Sequence, residues 1–403
     1  MSSLADGNFN MDQFFKKALV IITLFCPLLY AESETANPVH SFLPQQVPFT
    51  TERLGQLRLP PGFHIGIFAQ GLGAPRMIAV NGDGWVYITV PKQGEVLSLR
   101  DTNSDGRAEV VKVATQNPPM VHGITLWKNG VFLAAPESVW SATLNGGLIS
   151  NLQLIIDDLP PGGRHPLRTV GVGPEGSLYI SIGSSCNACE ESDSLYATIA
   201  KSDHKGKNFT VFASGLRNTI GFGWHPQTAQ MWGMDQGVDE RGDNTPSEEL
   251  NLLEQGHNYG WPYVYGQRIL DTVLGMPQKT NLTKEEQLRK TTPPVLTYQA
   301  HSSPIGLVFY TARRFPAKYH DGAFVAFHGS WNRKPAVGYK ICVIRFEKGC
   351  PKQFEDFVTG FLSADGKTQF GRPAGIAVAG DGSLLFTDDA NGVVYRVWYQ
   401  PLK

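Results

Sequence analysis

Charge is scarce in this chain. Only 18% of its 403 residues are Asp, Glu, Lys or Arg, and the net charge is −1. That balance supplies no basic surface for a phosphate backbone, and no RNA- or DNA-binding motif is present, so no nucleic-acid partner is expected. Cysteine is scarce as well, at five. No Cys-x-x-Cys-His occurs, which excludes covalently attached haem, and no second Cys-x-x-Cys or His pair completes a zinc set. No Gly-x-Gly-x-x-Gly opens a helix after a strand and no Gly-x-Ser-x-Gly occurs, so neither a nicotinamide site nor a serine-hydrolase elbow is indicated. Long apolar runs are missing too. Ala18 through Tyr30 is mostly apolar but falls short of the roughly 20 residues a membrane-spanning helix needs.

That short run has the features of a secretory signal: Lys16-Lys17 ahead of it and Ala31 as the small residue at a cleavage site. Residues 1–31 are read as a signal peptide, with an uncleaved anchor as the alternative. A periplasmic or secreted protein is expected, with no stable membrane insertion after cleavage. Beyond Cys26 the cysteines are Cys186, Cys189, Cys342 and Cys350. An even number in an exported chain favours two disulfides, most simply Cys186–Cys189 and Cys342–Cys350.

Glycine (43) and proline (27) are abundant, as expected for many short strands joined by turns. Six times a short apolar strand, a polar turn and a second apolar strand recur. The copies begin at Ile78, Ile124, Val170, Phe222, Leu307 and Ile376. A period near that of a four-stranded blade predicts an all-β fold, a six-bladed β-propeller of antiparallel blades over residues 61–400. Residues 32–60 form a polar leader. Phe63–Phe68 is expected to close the ring beside Val393–Val397, since closure removes exposed strand edges. The extra length at about 263–300 contains a short helix starting at a Thr or Asn cap near 281–283. It is read as pocket wall or cap. The Asn-x-Thr at Asn281 also fits a glycosylation acceptor.

A propeller brings the same position of every blade to one axis. Ahead of the innermost strands stand Arg76, His122, His165 with Arg168, Arg217, His301 and Arg372. Such a ring repels itself unless an anion fills it, so a bound anion, substrate or cofactor is expected. The competing reading is that individual members pair with carboxylates or face water. Separately, Asp101-Thr102-Asn103-Ser104-Asp105-Gly106 fits the start of a calcium loop, but Lys112 stands at the twelfth position where a bidentate Glu is needed. An Asp/Asn/Gly-rich turn is the preferred reading.

Several longer segments are more specific than the repeat. They are Gly215-Leu216-Arg217-Asn218, Trp224-His225-Pro226, Asp235-Gln236-Gly237, Glu248-Glu249-Leu250-Asn251 and Asn258-Tyr259-Gly260-Trp261-Pro262. With them go His165-Pro166-Leu167-Arg168-Thr169, His328-Gly329-Ser330-Trp331-Asn332-Arg333 and Gly371-Arg372-Pro373. Over about residues 55–400 the chain resembles the soluble sugar dehydrogenases that depend on pyrroloquinoline quinone (PQQ), the branch often called sorbosone or aldose sugar dehydrogenase. The resemblance implies PQQ, a planar tricarboxylate ortho-quinone, held by Arg217, Asn218 and Arg372, with Arg333 and Lys340 as further cationic contacts. It implies His165 as the base that takes a proton from a sugar hydroxyl, with Arg217 beside it at the catalytic centre. Arg164 stands where the glucose-oxidising branch commonly has an acidic residue.

The implied metal is Ca2+, held through carbonyls of Gly237 and Val238, where the family has Gly-Pro. Glu248, Glu249 and Tyr259 match a region that holds further calcium. The implied partners are a small-molecule sugar and an external electron acceptor (cytochrome, quinone or dye). A metal-dependent lactonase-type hydrolase and a non-catalytic binding propeller are the alternatives, because a propeller alone decides no function.

Overall fold

The computed structural model describes residues 37–275, 277 and 282–401. The signal-peptide reading and Asn281 lie outside the described residues. From Phe63 onward the chain forms a six-bladed propeller of four-stranded antiparallel sheets, and among the described residues there are one helix, Lys284–Lys290, and two short 3-10 turns. The six repeated pairs are the two inner strands of the six blades. In the third blade they are Thr169–Val172 and Leu178–Ile182, and in the sixth Pro373–Val378 and Leu384–Asp388. The second strands Val86–Val90, Leu178–Ile182, Ala323–Phe327 and Leu384–Asp388 are buried at every position. They therefore read as near-continuous apolar runs, since neighbouring blades cover both faces.

The ring closes as expected. Phe63–Gln70 pairs antiparallel with Val393–Tyr399 as the outermost strand of the sixth blade. Phe63 then packs edge-on against Phe315 and Phe357, with ring centroids 4.7 and 4.9 Å away. Edge-to-face aromatic pairs of this kind add to plain area burial.

Adjacent blades are also fastened near the axis. Thr387 in the sixth blade donates to the Arg76 carbonyl ahead of the first (2.6 Å), and Thr89 in the first to the His122 carbonyl ahead of the second (2.8 Å). Ser181 in the third blade donates to the Thr219 carbonyl ahead of the fourth. Each hydroxyl occupies the fourth position of its blade's second strand. Glycine permits the close backbone approach at these seams. A Cβ on Gly306 would collide with the Ala374 carbonyl, and one on Gly375 with that of Arg76.

Two expectations need amendment. Cys342 and Cys350 are both free thiols. Cys342 lies opposite Asp356 inside the Lys340–Glu347/Cys350–Val358 hairpin, whereas Cys350 lies opposite Glu347 at its turn. Five residues of extended strand separate Cys342 from Glu347, about 16 Å, far beyond disulfide reach. The Cys186–Cys189 disulfide does form. The segment near 263–300 carries the helix with its Thr283–Glu286 capping box, but also Leu296–Tyr298, the outermost strand of the fourth blade.

Candidate active site at the propeller axis

In an antiparallel hairpin the start of the inner strand and the end of the second strand share one end. Thr169 faces Ser181, Gly221 faces Met234 and Pro373 faces Asp388. The loops before the inner strands and those after the second strands therefore converge at one mouth of the axis. The first set brings Arg76, His122, His165, Arg217 and Arg372. The second brings Ser184, Asp239, His328 and Asp389. The first set and the motif that begins at His328 are visible in the sequence, whereas Ser184, Asp239 and Asp389 are not. The carboxylates of the second set carry no local motif.

Those carboxylates change the electrostatics of the ring. Arg76 pairs with Asp389 (2.6 Å), whose other oxygen takes His328 Nε2 at 2.9 Å. Arg217 and Arg164 share Asp239 Oδ2 at 2.9 and 3.0 Å. Arg168 is fully buried and donates to the carbonyls of Pro136, Pro160 and His165, so it is a structural strut. Both ring nitrogens of His301 are spent on Gly242 O and Asn332 Nδ2. His122 donates from Nδ1 to the Arg168 carbonyl, and its buried Nε2 has no partner. Burial and the Arg76 charge push its pKa down to about 3.

Positive and negative groups are interleaved at the mouth. Arg76, Arg164 and Arg217 meet Asp239 and Asp389, and the backbone N–H groups of Arg217 and Arg372 donate to Asp235 and Asp388. The Arg372 guanidinium donates to the carbonyls of His328 and Gly329 and lies over the Tyr339 ring. Among the described residues it forms no ion pair with a carboxylate. Partly desolvated guanidinium groups bonded to neutral carbonyls suit an anionic ligand.

The hydrogen bonds of His165 fix its tautomer. Its Nδ1 lies 3.0 Å from the Ser184 carbonyl and 2.9 Å from Ser184 Oγ. A carbonyl only accepts, and the Ser184 hydroxyl spends its own proton on Cys186 O (2.7 Å). Nδ1 therefore carries the hydrogen and Nε2 the lone pair. Burial first, then the Arg217 charge, push this imidazole down to about 3. His165, Arg217, Gln236, Gly237, Trp331 and Asn332 line a cavity of about 220 Å³. Trp331 is 42% exposed and offers it a flat apolar face.

The other expected residues are placed as follows. Asn218 lies beside His165 across Gly183 and donates to Gln236 Oε1 at 3.2 Å. Arg333 donates to the Asp243 carbonyl and Lys340 pairs with Asp356 at 2.7 Å, and neither lines the cavity. Glu248 accepts from the backbone of Gly237 (3.0 Å) and Ser303 (2.8 Å), so it ties the Gly237 loop in place. Its neighbour Glu249 points to the opposite face of the strand, accepts from Gly266 N, and is likewise pushed up to about 8 by burial. These two carboxylates cannot share one cation. The Tyr259 hydroxyl is spent on Leu252 O and Glu254 N, and the Val238 side chain packs with Ala197 and Trp261. Outside the axis, Glu109 joins Asp101 and Asp105, while Asp101 accepts from the backbone of Asn103, Ser104 and Gly106 as a tight turn does.

The family model for TrAA12-like proteins matches residues 57–400. The chain belongs to the TrAA12-like family. An uncharacterized protein of Borreliella burgdorferi is 30% identical over 381 residues, covering 90% of this chain and 96% of that one. The pyrroloquinoline quinone-dependent sugar dehydrogenase of Hypocrea jecorina is 23% identical over 397 residues, covering 83% and 87%. The calcium structure of the Trichoderma reesei family AA12 enzyme superposes with a TM-score of 0.71 at 20% identity, over 91% of this chain and 100% of that one. At that identity the superposition establishes the shared fold alone.

Proposed function

We propose that this TrAA12-like chain is an exported quinoprotein dehydrogenase that oxidises an aldose or related sugar aldehyde at C1. The observation that carries the reading is His165: an imidazole with its Nδ1 hydrogen fixed by Ser184 and its Nε2 lone pair free beside an arginine-rich cavity. The site fits a planar polyanion, given Arg164 and Arg217 in its lining, the flat face of Trp331, and the Arg372 guanidinium that donates to carbonyls. Arg217, Asn218 and Arg372 are the groups that would hold PQQ. The carbonyls of Gly237 and Val238 would hold the accompanying Ca2+. When bound, PQQ supplies an ortho-quinone able to accept two electrons from the sugar.

This chain's own part is acid–base and positional. His165 Nε2 takes the proton from the C1 hydroxyl, and Arg217 fixes the electrostatics beside it. Electrons then leave to a separate acceptor. A lactonase-type hydrolase would gather free carboxylates around a divalent ion. Here Asp239 and Asp389 at the mouth are each tied to arginine.

Titration of apoprotein with PQQ and Ca2+, followed by absorbance and by dye-linked oxidation of an aldose panel, tests the reading. Tight calcium-dependent uptake and sugar-dependent dye reduction are expected. His165→Ala should keep uptake and lose about 10²- to 10⁴-fold in turnover, the usual contribution of a general base. Absence of uptake would overturn the assignment.

A further inference from the structure

The two groups at the centre of the site are held by one short loop. After the second strand of the third blade the chain runs Ser184-Ser185-Cys186-Asn187-Ala188-Cys189, closed by the Cys186–Cys189 disulfide. At one end Ser184 holds His165 Nδ1 with both its carbonyl and its hydroxyl, and that hydroxyl is aimed by its bond to the Cys186 carbonyl. Between the two cysteines sits Asn187. Its backbone carbonyl accepts from Arg217 Nε at 3.0 Å, and its side-chain Oδ1 accepts from Arg217 Nη2 at 2.8 Å. The same Oδ1 takes Asp239 N at 3.0 Å, and Asn187 Nδ2 donates to Asp239 O at 3.1 Å. Asn187 therefore fixes Arg217 and also the backbone of the aspartate that neutralises it.

We propose that the Cys186–Cys189 bridge and Asn187 act as a latch positioning both His165 and Arg217, so that opening the disulfide reversibly lowers turnover and the hold on the anionic cofactor. The proposal rests on the sugar-oxidation reading. A four-residue span has no sheet partner of its own to keep Asn187 turned inward, and the bridge supplies that constraint. Without it, Arg217 (3% exposed) loses the anchor of two of its hydrogen bonds and is left with Asp239 and the Gln236 carbonyl. Ser184 loses the Cys186 carbonyl that sets its hydroxyl, so the hydroxyl can turn to donate to His165 Nδ1 and compete with the Ser184 carbonyl for it. The opening step balances simply: a dithiol gives two electrons and two protons, closes to its own disulfide, and leaves Cys186 and Cys189 as thiols.

The test uses full-length protein and three readouts. Histidine-labelled apoprotein is examined by 15N NMR before and after mild reduction, with the two new thiols counted by mass and folding checked by near-ultraviolet circular dichroism. The expected result is a fixed Nδ1–H tautomer for His165 that becomes a mixture on reduction and returns on reoxidation. Asn187→Ala, which keeps the bridge, should weaken PQQ uptake about ten- to a hundredfold, the range for losing hydrogen bonds to a charged group. Asn187→Asp keeps the acceptor oxygens and should recover much of that loss. An unchanged His165 spectrum after confirmed reduction, together with unchanged uptake in Asn187→Ala, overturns the latch. If unmodified protein oxidises no sugar, the functional reading fails, and the His165 spectrum still decides whether the loop positions the base.

Discussion

His165 is held far from its ordinary titration range by its surroundings. Burial and the neighbouring Arg217 charge disfavour the imidazolium, and no carboxylate bonds the ring to offset them. With a folded pKa of about 3 against an ordinary 6.5, the base stays unprotonated at every working pH. The expected pH profile of kcat/KM for sugar oxidation therefore shows no acid limb between pH 8 and 5. A limb near 6.5 would show that the ring is solvated. Stability responds with a definite sign. Between pH 6.5 and 3 the unfolded imidazole binds a proton that the folded one refuses, so stability falls as pH drops through that window. Urea unfolding at pH 7 and pH 5 should show a smaller acid loss for His165→Asn than for the wild type. His165 was legible in the sequence because it precedes an inner strand within a specific motif. Arg168 was not separable from the ring members, because only its burial and its bonds to the carbonyls of Pro136, Pro160 and His165 show it to be a strut. Asp389 was invisible for the same reason: its partner Arg76 lies 313 residues away.

At the scale of elements, the leader does more than its composition suggests. Residues 32–60 read only as a polar, proline-bearing leader ahead of the blades. Yet Gln45–Gln46 pairs in parallel with Thr368–Gln369, and Phe42 N donates to the Trp331 carbonyl at 2.9 Å. His40 meets Asp243 at 2.6 Å, and Asn37 caps the 241–245 turn through Asn244 N and Thr245. Strands of two residues leave no alternation to detect. The helix at Lys284–Lys290 was legible because a capping box is a local device. This leader braces the loop carrying Trp331 and Asn332, which line the cavity, without entering any blade. Deleting residues 37–46 should leave the propeller folded while raising the sugar KM by about tenfold, since a slight misplacement of pocket walls is costly. Limited proteolysis should then cut at 331–334. A variant that keeps its KM and resists cleavage would show that the leader is ornamental.

For the whole molecule, the repeat was readable from the sequence because each blade needs two apolar inner strands, and closure followed because an open ring leaves two edges. What holds one blade to the next was less legible. The hydroxyls of Thr89, Ser181 and Thr387 sit inside apolar runs and look like ordinary strand residues, but each donates to the chain that enters the following blade. Replacing Thr387 with Val keeps the shape and removes one of two donors to the Arg76 carbonyl, the other being Gly375 N at 2.9 Å, at a cost of about 0.5–1.5 kcal/mol. Thr89→Val removes the hydroxyl donor to the His122 carbonyl at the next seam. Arg76 joins the two sites, since its carbonyl accepts from Thr387 and its N–H donates to the Thr89 carbonyl, so the double variant should depart from the sum of the single effects by more than about 0.5 kcal/mol. Because the ring is closed and every blade packs between two neighbours, both variants should shift one unfolding transition and not create a second. Denaturant melts followed by tryptophan fluorescence and by far-ultraviolet circular dichroism decide this. Coincident curves support a single cooperative ring. Curves that separate in Thr387→Val alone would instead make the junction between the sixth and first blades the weak point where the closed ring first opens.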